Sequence, residues 1–307
     1  MTLNVSSTTQ QYLDNLNYIQ TQMTKAQTEV SSGLAVQQAS DKPAAISTIF
    51  EDQTQIAMNQ QAQTNLGSVQ TELSAADTSL QSAVSAVINA ISLATQGASS
   101  TSSAQDRANL AIQVAGLQQT LVNLSQTTVN GLYVFSGDQQ TKPSYQLDPS
   151  QPEGVQQLLT TTATRTIADS NGAPITIAKT AQEIFDAQNP PGTPAPGNVF
   201  NAVNLLLTAL QSNNTAKITA ASDSLQSANT YLNGQLAFYG EAENRVSSAL
   251  AVAQKFQIQE KSDLGQVQDA NLATAALELT QTSTQQQAAL SAAAKIEQIP
   301  NLFSFLG

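Results

Sequence analysis

Apolar residues recur at alternating spacings of four and three at both ends of this chain. Near the front, Tyr12, Leu16, Ile19, Met23, Ala26 and Val30 fall on one seam of a helix. Near the back, Leu272, Ala276, Leu279, Ser283, Gln286, Leu290 and Ala293 keep the same rhythm, with Ser283 and Gln286 as polar interruptions. Each seam is too narrow for the face of a buried globular helix. It therefore predicts a partner helix, from the other end of the chain or from a neighbouring copy.

The rest of the chain reads as a sequence of helices with one different segment inside it. The first helix is expected over 7–32, stopping at Gly33, a residue suited to a left-handed cap. Asp41 reads as the N-cap of the next helix, with Pro43 tolerated in its first turn. That helix runs to about Gln96, with a seam at Leu66, Val69, Leu73, Ala76 and Leu80. The seam then shifts by a residue and resumes at Val84, Val87, Ile91 and Ala94, as a stutter would. A small, polar turn over 97–103 leads to Ser103 and Asp106, spaced as a near capping box, and a third helix with its seam at Leu110, Val114, Leu117, Leu121 and Leu124. After Asn130-Gly131 the run Leu132 to Phe135 is strand-like.

Between 138 and 197 proline and glycine concentrate, and 162–168 and 175–178 alternate with a period near 2 around a hairpin-type Asn171-Gly172. Thr180 and Glu183 form a capping box for one or two helical turns. This insert leaves and re-enters the same helical body, and closing a loop costs little more as it lengthens. It is therefore expected to be replaceable by a short Gly/Ser loop. Helix resumes over 199–210, breaks near Asn213-Asn214, and continues through Ile218, Leu225, Leu232 and Leu236 toward Lys261. A final helix runs until Pro300, followed by an apolar tail with Phe303 and Phe305. The expected fold is mainly α, with a coiled-coil rod from 1–40 and 264–307, a helical stem from 41–137 and 198–263, and a small, partly β insert over 138–197.

Composition limits the chemistry. Of 307 residues only 11% are charged and 5% aromatic, and uncharged polar and small side chains fill the difference. Such a surface suits close packing against other protein. The net charge of -11, with the eleven basic residues scattered, argues against nucleic acid and anionic membranes as partners. Apolar runs are too short to span a bilayer, and the first twenty residues show no basic and apolar segments of a Sec-type signal peptide. With no Cys and no His, the thiolate nucleophile, the commonest general base and the commonest zinc ligands are missing. Glu29, Glu72, Glu243 and Glu260 are dispersed singly along helical faces and read as solvated, and no phosphate-cradling glycine loop occurs. No catalytic, cofactor-binding or metal-ligating residue is assigned, and the chain is not expected to be an enzyme.

Four motifs in order carry a resemblance along nearly the whole chain. Val30-Ser31-Ser32-Gly33-Leu34 and then Ser40-Asp41-Lys42-Pro43-Ala44-Ala45 resemble N-terminal elements of the flagellin superfamily of bacterial axial proteins. Gly240-Glu241-Ala242-Glu243-Asn244-Arg245 and Asp269-Ala270-Asn271-Leu272-Ala273 resemble its C-terminal half. Within the superfamily, Asn130, Gly131, Tyr133, Phe135 and Gly137 are similar to the N-G-x-Y-x-F-x-G signature of the hook-associated FlgL family. The segment with Arg165, Ile167 and Glu183-Ile184-Phe185, and the short tail with two Phe, are similar to that family as well. Ala35 and Lys42 depart from the superfamily pattern, which has a basic residue and a second acid there.

The resemblance implies a structural subunit between hook and filament, with filament flagellin itself as the alternative. It implies export of the unfolded chain by the flagellar secretion machinery to an extracellular position. Its implied partners are further copies of itself, a larger hook-associated protein, flagellin and an export chaperone. The apolar rhythm of the two ends assigns Leu16, Ile19, Met23, Val30, Leu272, Leu279 and Leu290 to the assembly seam, and the resemblance agrees with it.

Overall fold

The structure, a computed structural model, describes residues 7–160, 163–168 and 173–297. Among them, the helices are α1 (Ser7–Ser32), α2 (Ile46–Ala98), α3 (Ala104–Ser125), α4 (Ala181–Phe185), α5 (Val199–Gln211), α6 (Thr215–Gln268) and α7 (Leu272–Glu297). The strands form three separate antiparallel hairpins, β1 (Thr128–Val129) with β2 (Leu132–Tyr133), β3 (Tyr145–Leu147) with β4 (Val155–Gln157), and β5 (Thr166–Ala168) with β6 (Pro174–Thr176). The chain is mainly α with small β pairs in its middle, as the hydrophobic pattern predicts. Contacts divide it into two compact units, 1–58 with 256–307, and 59–255.

Local signals set the helix ends. Gly33 takes φ 75° directly after α1, a conformation glycine adopts without penalty. Ser103 accepts from the Asp106 amide at 3.1 Å while the Asp106 carboxylate accepts from the Ser103 amide at 2.9 Å, so the box at the start of α3 is closed in both directions. Thr180 and Glu183 do the same for α4. Replacing Ser103 with Ala is expected to cost about 1 kcal/mol of unfolding free energy in urea titration, the usual value of an N-cap side chain. An unchanged midpoint would show that Asp106 alone suffices.

Asp41 departs from its expected role. The helix entry at Pro43 has Lys42 in the capping position without a side-chain cap, and the Asp41 carboxylate instead accepts from the amides of Gln37 and Gln38, each at 2.9 Å. It closes the turn before it, because that turn leaves two amides pointing at one spot. Those backbone bonds, Gln38 first, hold its carboxyl below the usual carboxylate range.

The 59–255 unit has one continuous hydrophobic core, and small residues mark its seams. On α2 the buried positions run Leu66, Val69, Leu73, Ala76, Leu80, Ala83, Val87, Ala90 and Ala94, an unbroken alternation of three and four. The expected stutter is absent. Val84 and Ile91 lie half-buried on the flank, and Ala83 and Ala90 hold the seam. On α6 the same rhythm carries Ile218, Ala221, Leu225, Ala228, Leu232, Gln235, Tyr239, Ala242, Val246, Ala249 and Ala253. α3 packs against α5. Arg107, nearly buried on α3, forks to the carbonyls of Gly97 and Ser99 at 2.7 and 3.0 Å and to Asn213 Oδ1 at 2.7 Å, satisfying carbonyls that the end of α2 leaves open.

The insert belongs to this core. Tyr145, Val155, Ile175, Ile177, Ile184 and Phe185 are buried in the same cluster as the helices. Phe185 stacks on Phe200 of α5 at 5.7 Å and meets Phe135 edge-on at 5.9 Å, while Phe135 meets Tyr239 of α6 at 6.1 Å. Polar ties add to the packing. Arg165 pairs with Glu72 of α2 at 2.5 Å, so Glu72 is not merely solvated. Lys179 donates to Gln235 at 2.7 Å and lies 4.5 Å over the Phe238 ring. The β3–β4 hairpin has no counterpart in the sequence reading. The Asn171-Gly172 turn lies outside the described residues.

Candidate assembly surfaces

Within the unit formed by both chain ends, α1 and α7 run antiparallel against each other. The Tyr12 hydroxyl donates to the Ala289 carbonyl at 2.8 Å near one end of the pair. At the other end the Ala270 amide donates to Gly33 O at 2.9 Å and the Ala35 amide to Gln268 O at 2.8 Å, with Leu34 and Asp269 bridged antiparallel. Two of the motifs quoted above, 30–34 and 269–273, therefore meet through backbone bonds although more than two hundred positions separate them. Beside this junction Val36, Ala45 and Ile49 form a small core of their own.

The predicted seam residues divide. Leu16, Ile19 and Met23 are half-buried on α1 around the fully buried Ala26, whereas Val30 is exposed. On α7 only Leu279 among the three predicted leucines is half-buried, and Leu272 and Leu290 are 52% and 53% exposed. Ala275 and Thr282 take the buried places, and the Thr282 hydroxyl donates to Glu278 O at 2.7 Å so that no polar group is stranded. The α7 line keeps Leu279, Gln286 and Ala293 and moves its alternate positions by one, from Ala276 and Leu290 to Ala275 and Ala289, with Thr282 buried beside the half-buried Ser283. Small residues allow the two backbones to approach, and Leu272, Leu277 and Leu290 are turned outward. Leu13 and Tyr18 on α1 and Leu277 and Leu290 on α7 are left exposed at separate places around the pair. The predicted Phe303 and Phe305 tail lies outside the described residues.

The Asn130 to Gly137 signature is a folding device. Asn130 and Gly131 adopt φ 52° and 79°, the two left-handed positions of a tight two-residue hairpin, and they set Val129 opposite Leu132 and Thr128 opposite Tyr133. Phe135 then enters the aromatic core, fully buried, and its carbonyl accepts from the Ala181 amide at 2.7 Å. Gly137 has φ 58°, and Ser136 donates to Lys142 O at 2.8 Å. Tyr133 is half-buried at the edge. Each residue type answers a backbone or packing demand, and none is arranged to activate a substrate.

Sequence reasoning missed a buried polar cluster formed by Tyr145, Glu153, Asp186 and Asn198. These residues are dispersed over more than fifty positions, and only Asn198, as N-cap of α5, left a local sign. Among the described residues, no group of three or more acidic side chains could hold a metal ion, and no helix is long and apolar enough to cross a membrane.

Comparison with known families gives two matches in order along the chain. The bacterial flagellin N-terminal helical region matches residues 2–140, and the bacterial flagellin C-terminal helical region matches residues 216–306. Comparison with curated protein sequences found no match. Among solved structures, a protein from Vibrio parahaemolyticus assigned as a flagellar hook-associated protein is similar with a TM-score of 0.65 and 18% identity, over 75% of this chain and 100% of that one. The flagellar hook-associated protein-3 of Legionella pneumophila is similar with a TM-score of 0.61 and 14% identity, over 71% and 98% of the two chains. FlgL of Bacillus cereus is similar with a TM-score of 0.57 and 14% identity, over 70% and 100%. At these identities the likeness is one of fold.

Proposed function

Because this chain belongs to the bacterial flagellin family, we propose that it is a structural subunit of the flagellum that joins the hook to the filament. The observation that carries this reading is the combination of flagellin-type end regions with a fold that spans the full length of solved hook-associated proteins. The N-G-x-Y-x-F-x-G hairpin, built as described above, supports the junction reading over the filament one.

The mechanism is geometric. The α1–α7 pair offers several exposed apolar side chains to neighbouring copies, and many weak apolar contacts summed over a lattice provide the affinity. A junction subunit must meet two dissimilar lattices, so its faces toward a larger hook-associated protein and toward flagellin are unequal, and its own lattice ends after a thin zone. An export chaperone would hold the chain before secretion, and the subunit would act outside the cell. The reading includes no enzymatic step, no cofactor, no nucleic acid and no membrane contact.

A strain lacking the protein is expected to keep its hooks, lose its filaments and release flagellin into the medium. Labelled protein is expected as a single band at the distal edge of the hook. Label along the whole filament, or long filaments grown by the purified chain unaided, would overturn the junction reading in favour of a flagellin.

A further inference from the structure

Four side chains from separate parts of the 59–255 unit converge on one point beside the β3–β4 hairpin. Tyr145 on β3, Asp186 just after α4 and Asn198 just before α5 are buried, and Glu153 from the β3–β4 turn is half-buried. The Tyr145 hydroxyl donates to Asp186 Oδ2 at 2.8 Å, and Gln188 Nε2 donates to the same oxygen at 3.2 Å. Asn198 Nδ2 donates to Asp186 Oδ1 at 2.7 Å and to Glu153 Oε2 at 3.4 Å. Asn198 Oδ1 meanwhile accepts from the Asn201 amide at 2.9 Å, so the amide group is held in place by the start of α5.

The two carboxyl groups are unequal. Asp186 has three donors around it, while Glu153 receives the long share of one. The titratable group in contact with them is Tyr145, with Asp148 in the same turn and Glu183 on α4 the nearest acids along the chain. Asp148 is committed to Ser150 and Gln151, and Glu183 to the Thr180 cap. The sequence of α5 has no charged residue, neither do β4 and residues 187–198, and α3 brings only the Gln118 amide, which donates to the Glu153 carbonyl at 3.4 Å. The ion pairs Lys25–Glu29 and Arg165–Glu72 lie elsewhere. With no compensating cation here among the described residues, two neighbouring negative charges repel in a partly desolvated place.

We propose that the Glu153 carboxyl, sharing the Asn198 amide with the Asp186 carboxylate, is a pH-sensitive clasp that fastens the β3–β4 hairpin to the start of α5 when protonated and loosens it when ionised. The protonated acid donates its O–H to Asp186 and still accepts from Asn198, so the group of four is satisfied. Ionisation removes that donor and sets carboxylate against carboxylate. A cleft of about 450 Å³, lined in part by Tyr145, Glu153 and Asp186, gives water and protons access.

Burial, then the hydrogen bond to Asp186 and its charge, push the Glu153 carboxyl up to about 7 from an ordinary 4.5. A carboxyl raised on folding contributes its stabilisation fully below its unfolded value, and the contribution is lost as pH rises through the folded value. The clasp is therefore closed near pH 5 and open above pH 8.

The test is hydrogen exchange of the full chain between pH 5 and 8.5, corrected for intrinsic rates and read by mass spectrometry over 145–157. Protection of this segment is expected to fall about tenfold across the range, discounted from the full shift because Glu153 is half-exposed. Glu153→Gln, which mimics the protonated acid, is expected to keep its pH 5 protection at pH 8.5. Asp186→Asn is expected to move the fall toward the ordinary carboxylate range. A flat profile in the wild type, or an equal fall in Glu153→Gln, would overturn the clasp. Should Glu153→Gln not fold by circular dichroism, the Asp186→Asn midpoint decides, and an unmoved midpoint overturns it.

Discussion

Excising residues 138–197 and closing the gap with a short Gly/Ser loop is expected to abolish cooperative unfolding of the 59–255 unit. Loop closure alone would suggest the opposite, since its cost grows only as the logarithm of length. Packing decides the matter. The insert supplies Tyr145, Val155, Ile175, Ile177, Ile184 and Phe185 to the core, all buried. Each large apolar side chain contributes roughly 1.5–3 kcal/mol by burial, and a typical domain has only about 5–15 kcal/mol of net stability. Removing half a dozen such groups exceeds that margin, and it also uncovers Phe135 and Phe200, which they touch.

A single substitution isolates the same effect. Phe185→Ala is expected to destabilise the unit by about 3–5 kcal/mol, the range for emptying a buried phenylalanine site. Thermal melting followed by near-ultraviolet circular dichroism checks both changes. An excised chain that melts cooperatively within a few degrees of the intact one would show that the insert only decorates a self-sufficient helical body.

Ile19→Asp is expected to stop assembly while leaving the 59–255 unit folded. Ile19 is half-buried on the side of α1 that faces α7, and an unpaired charge placed there costs about 3 kcal/mol. A lone antiparallel helix pair with alanine and threonine in its seam has little reserve against that. Gln20→Asp, one position round the helix and exposed, is the matched control and is expected to change little. Near-ultraviolet dichroism should stay at the wild-type value in both variants, and motility should be lost only in the first. Leu277→Asp separates two roles of the pair, since Leu277 is 73% exposed and its replacement leaves the α1–α7 contact intact. Loss of motility there would point to the outer face as the lateral contact. Normal swimming by Ile19→Asp would remove the paired ends from any account of assembly.

The sequence by itself determined the helices and most of their ends, though not the β3–β4 hairpin. The stop of α1 at Gly33, the closed boxes at Ser103 and Thr180 and the break at Asn213 are all settled by neighbours within four positions, where backbone geometry leaves few choices. The flagellin-type motifs at both ends were likewise legible, because they are contiguous strings. The inward lines of α3, of α6 and of the first half of α2 were legible as well, and only the tertiary structure decided the line along the second half of α2 and along α7. Large aliphatic residues suggest a seam at Val84 and Ile91 and at Leu272 and Leu290, yet Ala83 and Ala90, and Ala275 and Thr282, occupy the buried lines. Close approach of two helices favours the small side chain at the contact and leaves the larger neighbour on the flank, a preference that depends on the partner's surface and cannot be read from one helix. The same dependence on partners placed the insert in the core and brought Glu153 to Asp186 and Asn198. Each of these rests on a contact between surfaces that meet only after the chain has folded.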